Sequence, residues 1–177
     1  VQADPSLTLQ AELDTRMNLA AGKSAVDFAF HMNVRSNDPA RLDEIPGIVA
    51  QGISSFKWFM AIPGWAVPDP ILQRGMFEVA AHGGLNIVHA ENLGMITELR
   101  RRKAAAGDRT MANFASAYPA TAEASAVALC LAMAEAADSR ILLFHQTAAE
   151  GVAAIRAAKE RGVKAFGEAG LAWLLYD

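Results

Sequence analysis

The fold is predicted by the stretch Ile53-Ser54-Ser55-Phe56-Lys57-Trp58-Phe59-Met60, an apolar run with one lysine in its middle. Its bulky and aromatic residues are typical of a strand that is buried on both faces. Burial of an ammonium group is costly, so we expect Lys57 to be paired, neutral or chemically modified. The alternative is a lysine at a strand end whose amine reaches water along its apolar stem.

Two later apolar stretches each end in a histidine. They are Asn86-Ile87-Val88-His89 and Ile141-Leu142-Leu143-Phe144-His145. One lysine and two histidines at the ends of three apolar strands suggest a metal site. The alternative for each histidine is a hydrogen-bonded imidazole at a strand end, with no ligand role.

Strands and helices alternate along the chain. Strands are predicted near residues 26–32, 54–60, 85–89, 141–145 and 163–167, each preceded or followed by a helical pattern. This alternation indicates right-handed βαβ units and a parallel sheet, hence the α/β class. Polar residues at the carboxyl ends of the strands favour part of a (β/α) barrel, although an open doubly wound sheet remains an alternative. No Gly-rich phosphate loop follows a strand, which argues against a dinucleotide or P-loop protein.

Capping and breaking residues predict the helix bounds. A first helix is expected to follow an N-cap at Ser6 and to stop at Gly22, and a second to be interrupted at Pro46. Asn92 is expected to cap the helix that follows the first histidine strand. Further helices are predicted over 70–82, from Thr121 or Ser125 onward, and from the second histidine strand to 162, with 108–119 irregular.

Composition excludes several classes of protein. The 177 residues are enough for one domain, and the net charge of −3 without a basic patch argues against a nucleic-acid partner. The single cysteine, Cys130, excludes a disulfide framework and indicates a reducing compartment, so we expect a cytoplasmic protein. We expect no membrane span and no signal peptide. The chain starts at Val1 and ends in apolar sequence, so we also expect an internal fragment.

The three strand-end residues have the chemistry of a divalent-metal site. Two neutral imidazoles and a carboxylate form a common zinc site. Lys57 can itself supply the missing carboxylate, because an amine held neutral by burial can add carbon dioxide to form an anionic carbamate. The two oxygens of one carbamate can bridge two ions, and a bridged pair can hold a hydroxide at neutral pH.

Three motifs carry a resemblance to a known family. Ser55-Phe56-Lys57-Trp58-Phe59-Met60, Val88-His89-Ala90-Glu91-Asn92 and Phe144-His145-Gln146-Thr147 resemble the motifs of the cyclic amidohydrolases, the branch of hydantoinases, dihydropyrimidinases and allantoinases. Asp27-Phe28-Ala29-Phe30-His31-Met32 and Tyr118-Pro119 match the family context as well. The similarity covers nearly the whole chain.

The resemblance implies a (β/α)₈ barrel with a binuclear metal centre that usually holds zinc. Residues 1–177 would form a partial barrel domain, strands three to seven with their helices, without the N-terminal and C-terminal parts. Lys57 would be the carboxylated, metal-bridging lysine, and His89 and His145 would bind the second ion. The implied reaction opens the C–N bond of a cyclic amide or imide by attack of the bridging hydroxide. A small cyclic amide would be the substrate, and related full-length enzymes are tetramers.

Some family features are missing or altered. The His-x-His pair of the first strand and the aspartate of the eighth strand have no counterpart in these residues. Ile62 stands where many hydantoinases have a tyrosine that assists the oxyanion, and isoleucine cannot donate a hydrogen bond. We therefore predict a substrate other than hydantoin. Ile62 and Trp65 are the candidate substrate-binding residues, and the run from Glu168 to Trp173 has diverged from the family pattern.

Two other hypotheses remain open from the sequence. The protein could be a non-catalytic, dihydropyrimidinase-like scaffold, or the segment could be an inactive partial barrel with two unpaired sheet edges. His31 is expected to be a core or supporting imidazole, and His82 to lie in the last turn of a helix. Glu168 is expected to contact the site or to form a loop salt bridge.

Overall fold

The computed structural model describes residues 4, 6–35, 37–107 and 110–175. A 3₁₀ helix covers Pro39–Glu44. The strands are β1 Met32–Asn33, β2 Ser55–Phe59, β3 Leu85–His89, β4 Arg140–Leu143 and β5 Ala165–Gly167. The α-helices are α1 Leu9–Ala20, α2 Ile45–Ala50, α3 Asp69–Ala81, α4 Leu93–Ala105, α5 Met111–Ala115, α6 Ala120–Ala136, α7 Ala149–Glu160 and α8 Leu171–Leu175.

The five strands form one parallel sheet in the order β1-β2-β3-β4-β5. Each strand is therefore hydrogen-bonded to its neighbours along the chain. A doubly wound sheet reverses its strand order at a switch point, whereas a (β/α) barrel adds its strands in sequence. The observed order contains no reversal, which confirms the predicted α/β class and the arc of a barrel rather than the doubly wound alternative.

The helices cover one face of this sheet. That face presents apolar side chains that are completely buried, and the helices α2, α3, α6 and α7 add their own buried residues to the same core. Trp58 lies beneath α3 at Gly75, where a Cβ would overlap the indole ring. Glycine at this position therefore sets how closely α3 approaches the sheet.

Several predicted boundaries are confirmed. The Asn92 side chain accepts a hydrogen bond from the Met95 amide at 3.0 Å and caps α4. The second helical segment is interrupted as expected, because the 3₁₀ helix ends before Pro46, which occupies the first turn of α2. His82 is the C-terminal cap of α3, and its Nδ1 lies 2.9 Å from the Glu78 carbonyl oxygen.

The predicted strand at 26–32 is wrong over most of its length. Only Met32 and Asn33 pair with β2, opposite Phe56 and Lys57. The alternation that suggested a strand places Val26 and Phe28 in solvent, 76% and 43% exposed. An alternation of apolar and polar residues indicates an extended segment but does not show that the segment pairs with a sheet. Here pairing with β2 begins only at Met32.

Four other boundaries differ from prediction. The cap of α1 is Thr8 rather than Ser6, since the Thr8 hydroxyl accepts from the Ala11 amide. The segment 108–119 contains α5, although residues 108 and 109 lie outside the described ones. β5 begins at Ala165, two residues later than expected. β4 ends at Leu143, so His145 follows the strand instead of closing it.

One stretch, Met111–Ala136, is long and apolar enough by composition to cross a membrane, which the sequence reading did not anticipate. Half of its most apolar window is buried inside the protein. Its second part, α6, packs against α7, α3 and α4. Because α6 packs on three helices, its apolar composition is that of a core helix. Cys130 lies on the buried side of α6.

Candidate metal centre

Neighbouring strands bring the three predicted site residues to one edge of the sheet. Lys57 lies in β2, His89 is the last residue of β3, and His145 follows β4 by two residues. Register pairs Phe59 with His89, so the carboxyl ends of β2 and β3 coincide. Parallel register also places Lys57, Phe59 and His89 on the same face of the sheet, opposite the helices.

The amine of Lys57 is buried and has no hydrogen-bond partner among the described residues. The residue is 7% exposed, and its Nζ lies 3.5 Å from the centre of the Phe144 ring and 5.3 Å from that of Phe59. Burial lowers the pKa of Lys57 to about 7, and the negative charge of Glu168 opposes this shift. A large fraction of the amine is therefore neutral near neutral pH and able to act as a nucleophile.

His89 and His145 face one another at the carboxyl ends of the neighbouring strands β3 and β4. Their ring centres are 4.4 Å apart, and His89 Nδ1 lies 2.7 Å from His145 Nε2. Burial and then the neighbouring His89 lower the pKa of His145. A neutral imidazole is the form that binds a metal ion, and a bound ion would replace the hydrogen that these two nitrogens share, so both could serve as ligands.

Glu91 orients the first of these rings. Its carboxylate accepts a hydrogen bond of 2.6 Å from His89 Nε2, and this bond is the main reason that the pKa of Glu91 is lowered. Because an ionised carboxylate only accepts, His89 carries its proton on Nε2 and turns the lone pair of Nδ1 towards His145. A carboxylate behind a histidine in this way is the usual support of a metal ligand.

The loop that carries His145 is held by Glu123, a residue that the sequence reading missed. The Glu123 carboxylate accepts hydrogen bonds from the Thr147 amide and hydroxyl and from the Ala148 amide, at 2.6 to 3.1 Å. His145 itself has a positive φ of 41°, a conformation that costs energy outside glycine. Glu123, in the first turn of α6, thus helps to stabilise a strained backbone beside the site. Its only sequence signal is an acidic residue near a helix start.

The two candidate substrate residues lie in the loop after β2. Trp65 packs edge-on against Phe59 with ring centres 4.9 Å apart, so it adjoins the site through one aromatic ring. Ile62 is partly buried, and its carbonyl accepts hydrogen bonds from the Trp65 and Ala66 amides. The structure therefore brings Trp65 close to the site, whereas for Ile62 it shows a role in the loop turn.

Two minor predictions are also resolved. His31 is exposed rather than buried in the core, and its Nδ1 lies 2.7 Å from the Ser55 hydroxyl. Glu168 follows β5, where its amide donates to the Leu143 carbonyl, and its charge acts on the Lys57 amine. Among the described residues Glu168 forms no salt bridge, so its influence on the site is electrostatic.

The donor set fits a metal centre only if Lys57 takes part. The described residues contain no group of three or more His, Cys, Asp or Glu that could hold an ion. The two facing imidazoles supply two ligands, and the unpartnered amine of Lys57 lies among their aromatic neighbours. A carbamate on that amine would add the missing oxygen ligands.

Comparisons with known proteins extend over nearly the whole chain. It is 33% identical over 162 residues to the D-hydantoinase of Streptomyces coelicolor, covering 91% of this chain and 35% of that enzyme. It is 32% identical over 167 residues to the allantoinase of Rubrobacter xylanophilus, covering 92% of this chain and 36% of that enzyme. The chain therefore spans about a third of the length of these curated relatives. No protein-family model matches it.

Solved structures give the same result. A D-hydantoinase structure superimposes with a TM-score of 0.94 at 32% identity, over 99% of this chain and 39% of that one. The dihydropyrimidinase from Brevibacillus agri superimposes with a TM-score of 0.93 at 28% identity, over 99% of this chain and 38% of that one. The five strands thus correspond to one arc of the barrel in these proteins. The chain is homologous to the cyclic amidohydrolases, in their branch of hydantoinases, dihydropyrimidinases and allantoinases.

Proposed function

We propose that the protein to which this chain belongs is a metal-dependent hydrolase that opens the C–N bond of a small cyclic amide or imide. The observation that carries the proposal is that Lys57, in the middle of β2, lies on the same face of the sheet as His89 at the end of β3, whose ring faces that of His145 after β4. Homology to D-hydantoinases and an allantoinase supports the same reaction class. The barrel domain that includes residues 1–177 would carry this activity.

Lys57 is proposed to act as a carbamate. Its neutral amine attacks carbon dioxide, an N–C bond forms, and the proton that leaves the nitrogen goes to solvent. Burial favours this step because it lowers the pKa of Lys57 to about 7, which leaves the nitrogen lone pair available. The product is an anion with two oxygens at a position where the amine has no hydrogen-bond partner among the described residues.

The carbamate of Lys57 together with His89 and His145 would hold divalent ions, and we propose two zinc ions in the complete barrel. Ions held there supply Lewis-acid polarisation of the substrate carbonyl and activation of water near neutral pH. Glu91 keeps the Nδ1 lone pair of His89 directed into the site. Phe59 and Phe144 exclude water around Lys57, which strengthens every charge interaction there.

The substrate is proposed to enter from the loop after β2, where Trp65 covers Phe59. Ile62 presents no donor to a developing oxyanion, so we retain the prediction that hydantoin is not the best substrate. A panel of hydantoin, dihydrouracil and allantoin tested on the full-length protein decides this, and fastest turnover of hydantoin would contradict it. A homo-oligomer in the cytoplasm is proposed for the full-length protein.

The test of the function uses the full-length protein and the variant Lys57→Ala, with Lys164→Ala as the matched control. Lys164 is exposed and pairs with Asp138 away from the site. We expect two zinc ions per chain in the wild type and in the control, and loss of metal in Lys57→Ala. We expect kcat/KM to fall by at least about 10³-fold, because a single oxyanion donor alone contributes about 10²–10³.

Two outcomes would remove the proposal. One is the absence of zinc binding at micromolar concentration in the full-length protein, which would favour the scaffold hypothesis. The other is unchanged metal content and turnover in Lys57→Ala. For residues 1–177 alone we expect at most one weakly held ion and no turnover.

A further inference from the structure

Arg35 lies at the same edge of the sheet as the candidate metal centre. It follows Val34, whose amide donates a hydrogen bond of 3.0 Å to the Lys57 carbonyl and so continues the pairing of β1 with β2. Arg35 is therefore the first residue beyond the carboxyl end of that pairing. In a (β/α) barrel this is the end at which substrates bind.

The guanidinium of Arg35 is held beside the site by aromatic stacking. Its Cζ lies 3.9 Å from the centre of the Trp65 ring. Trp65 in turn packs edge-on against Phe59, whose ring is 5.3 Å from the Lys57 amine and 5.9 Å from the His89 ring centre. One aromatic contact thus fixes the cation, and a second connects it to the residues proposed to bind metal.

Two nitrogens of this guanidinium lack a hydrogen-bond partner within the described ranges. Arg35 Nε and Nη1 are buried and form no hydrogen bond among the described residues, while Nη2 makes one long contact of 3.4 Å with the Gly64 carbonyl. The exposed carboxylate of Asp4 also feels this charge, but its pKa is lowered mainly by hydrogen bonds from the Ser6 amide and hydroxyl, and Arg35 is the smallest cause. Buried donors without acceptors are costly, and a guanidinium is best satisfied by a carboxylate.

We propose that Arg35 binds a carboxylate carried by the substrate, so that the preferred ring bears an anionic substituent. This inference rests on the proposed hydrolase function and adds a substrate class to it. The same chemistry has a second source, an Asp or Glu side chain of the protein outside residues 1–177. In that case Arg35 would stabilise the barrel without selecting substrates.

The experiment compares two dihydrouracils that differ only in charge, one with a carboxymethyl substituent and one with the isosteric carbamoylmethyl group. In the zinc-loaded full-length wild type, we expect kcat/KM to favour the carboxylate by about 10- to 100-fold, as one charge-assisted hydrogen bond to a buried group provides. In Arg35→Gln this preference disappears because the KM of the carboxylate compound rises, while kcat/KM of the neutral compound changes by less than about threefold. Arg35→Lys keeps part of the preference, because the charge remains but the planar fork is lost.

Arg74→Gln is the control, since Arg74 lies on α3 and pairs with Asp43. Its loss should leave kcat/KM of both compounds unchanged. Binding of the carboxymethyl compound, measured by calorimetry, separates the two proposals. If the carboxymethyl compound binds in an Arg35-dependent way but is not turned over, the hydrolase function is contradicted and the carboxylate site is supported. Turnover without a preference for the carboxylate, or an equal loss for both compounds in Arg35→Gln, would overturn the carboxylate site and leave the hydrolase function intact.

Discussion

Trp58 and Lys57 are neighbours in β2 but lie on opposite faces of the sheet, and their surroundings differ. Trp58 is fully buried against α3, and its Nε1 donates to Asn86 Oδ1 at 2.7 Å. Asn86 Nδ2 donates to the Ser139 hydroxyl at 2.7 Å. Lys57 is almost as deeply buried, yet its amine has no hydrogen-bond partner among the described residues. One strand thus carries a hydrogen-bonded polar network on one face and, on the other, an amine without a hydrogen-bond partner within the part of the chain that the structure describes.

The difference teaches that the two faces serve different purposes. The helix-covered face gains stability from dispersion and apolar burial, with its few polar atoms paired. The opposite face retains groups that cost stability, namely the Lys57 amine, the positive φ of His145 and two Arg35 nitrogens that have no hydrogen-bond partner among the described residues. Such costs collect at functional sites, where a ligand completes the missing contacts.

The largest expected effect is on the helix-covered face. In the full-length protein, Trp58→Ala should lower the free energy of unfolding by about 3–5 kcal/mol, the usual cost of removing a large buried aromatic side chain. Denaturant unfolding measures it. Phe77→Ala is the control, because Phe77 is 48% exposed on α3 and its removal should change stability by less than about 1 kcal/mol. Equal effects of the two substitutions would contradict the assignment of this face to stability.

Lys57→Met should have a smaller effect, opposite in sign. In the wild type without metal or carbon dioxide, the folded state has a Lys57 pKa of about 7 while the unfolded chain keeps its ordinary value near 10.5. Between these values only the unfolded chain binds the proton, so wild-type stability rises with pH across this window, and the penalty is complete below pH 7. At pH 6 the Lys57→Met variant should therefore be more stable than the wild type by on the order of 3 kcal/mol, less than the whole pKa shift implies because nearby solvent screens the charge of the amine, and this difference shrinks towards pH 10.

Unfolding curves of both proteins from pH 6 to pH 10 test this expectation. Lys164→Met serves as the control, since its amine is exposed in a salt bridge and should give no such trend. If the free energy of unfolding of the wild type and of Lys57→Met changed with pH in parallel, burial would not lower the pKa of the Lys57 amine.

Glu91→Gln should have the smallest effect of the three and concerns the opposite face alone. Glutamine keeps the shape but removes the charge that holds the proton on His89 Nε2. We expect zinc affinity to fall by about 10- to 100-fold, as for other carboxylates that support a metal-binding histidine. Competition with a chromophoric chelator measures it, and Glu160→Gln, at an exposed position of α7, should bind zinc like the wild type. Unchanged affinity in Glu91→Gln would show that Glu91 is only a neighbour of His89.

Three candidate site residues can be proposed from the sequence alone. Lys57 stands out as a charged residue in the middle of an apolar run. His89 and His145 stand out because each ends an apolar run, and parallel strands end at a common edge. Glu123 and Arg35 could not be found in this way. Their roles depend on contacts with Thr147, 24 residues away, and with Trp65, on the loop after the next strand. An acidic residue in a helix or an arginine after a strand carries no local sign of such a contact.

The sequence alone determined the order of strands and helices and the apolar face of the sheet, because both follow from local periodicity. It also determined the three candidate site residues, Lys57, His89 and His145, because they follow from residue chemistry. Tertiary structure decided which extended segments joined the sheet, and it left most of 26–32 outside. It also decided which polar atoms remained unsatisfied, since that depends on every neighbour a side chain meets. Such long-range contacts lower the pKa of Lys57 and bring the ring nitrogens of His89 and His145 together. They also stack the guanidinium of Arg35 on Trp65.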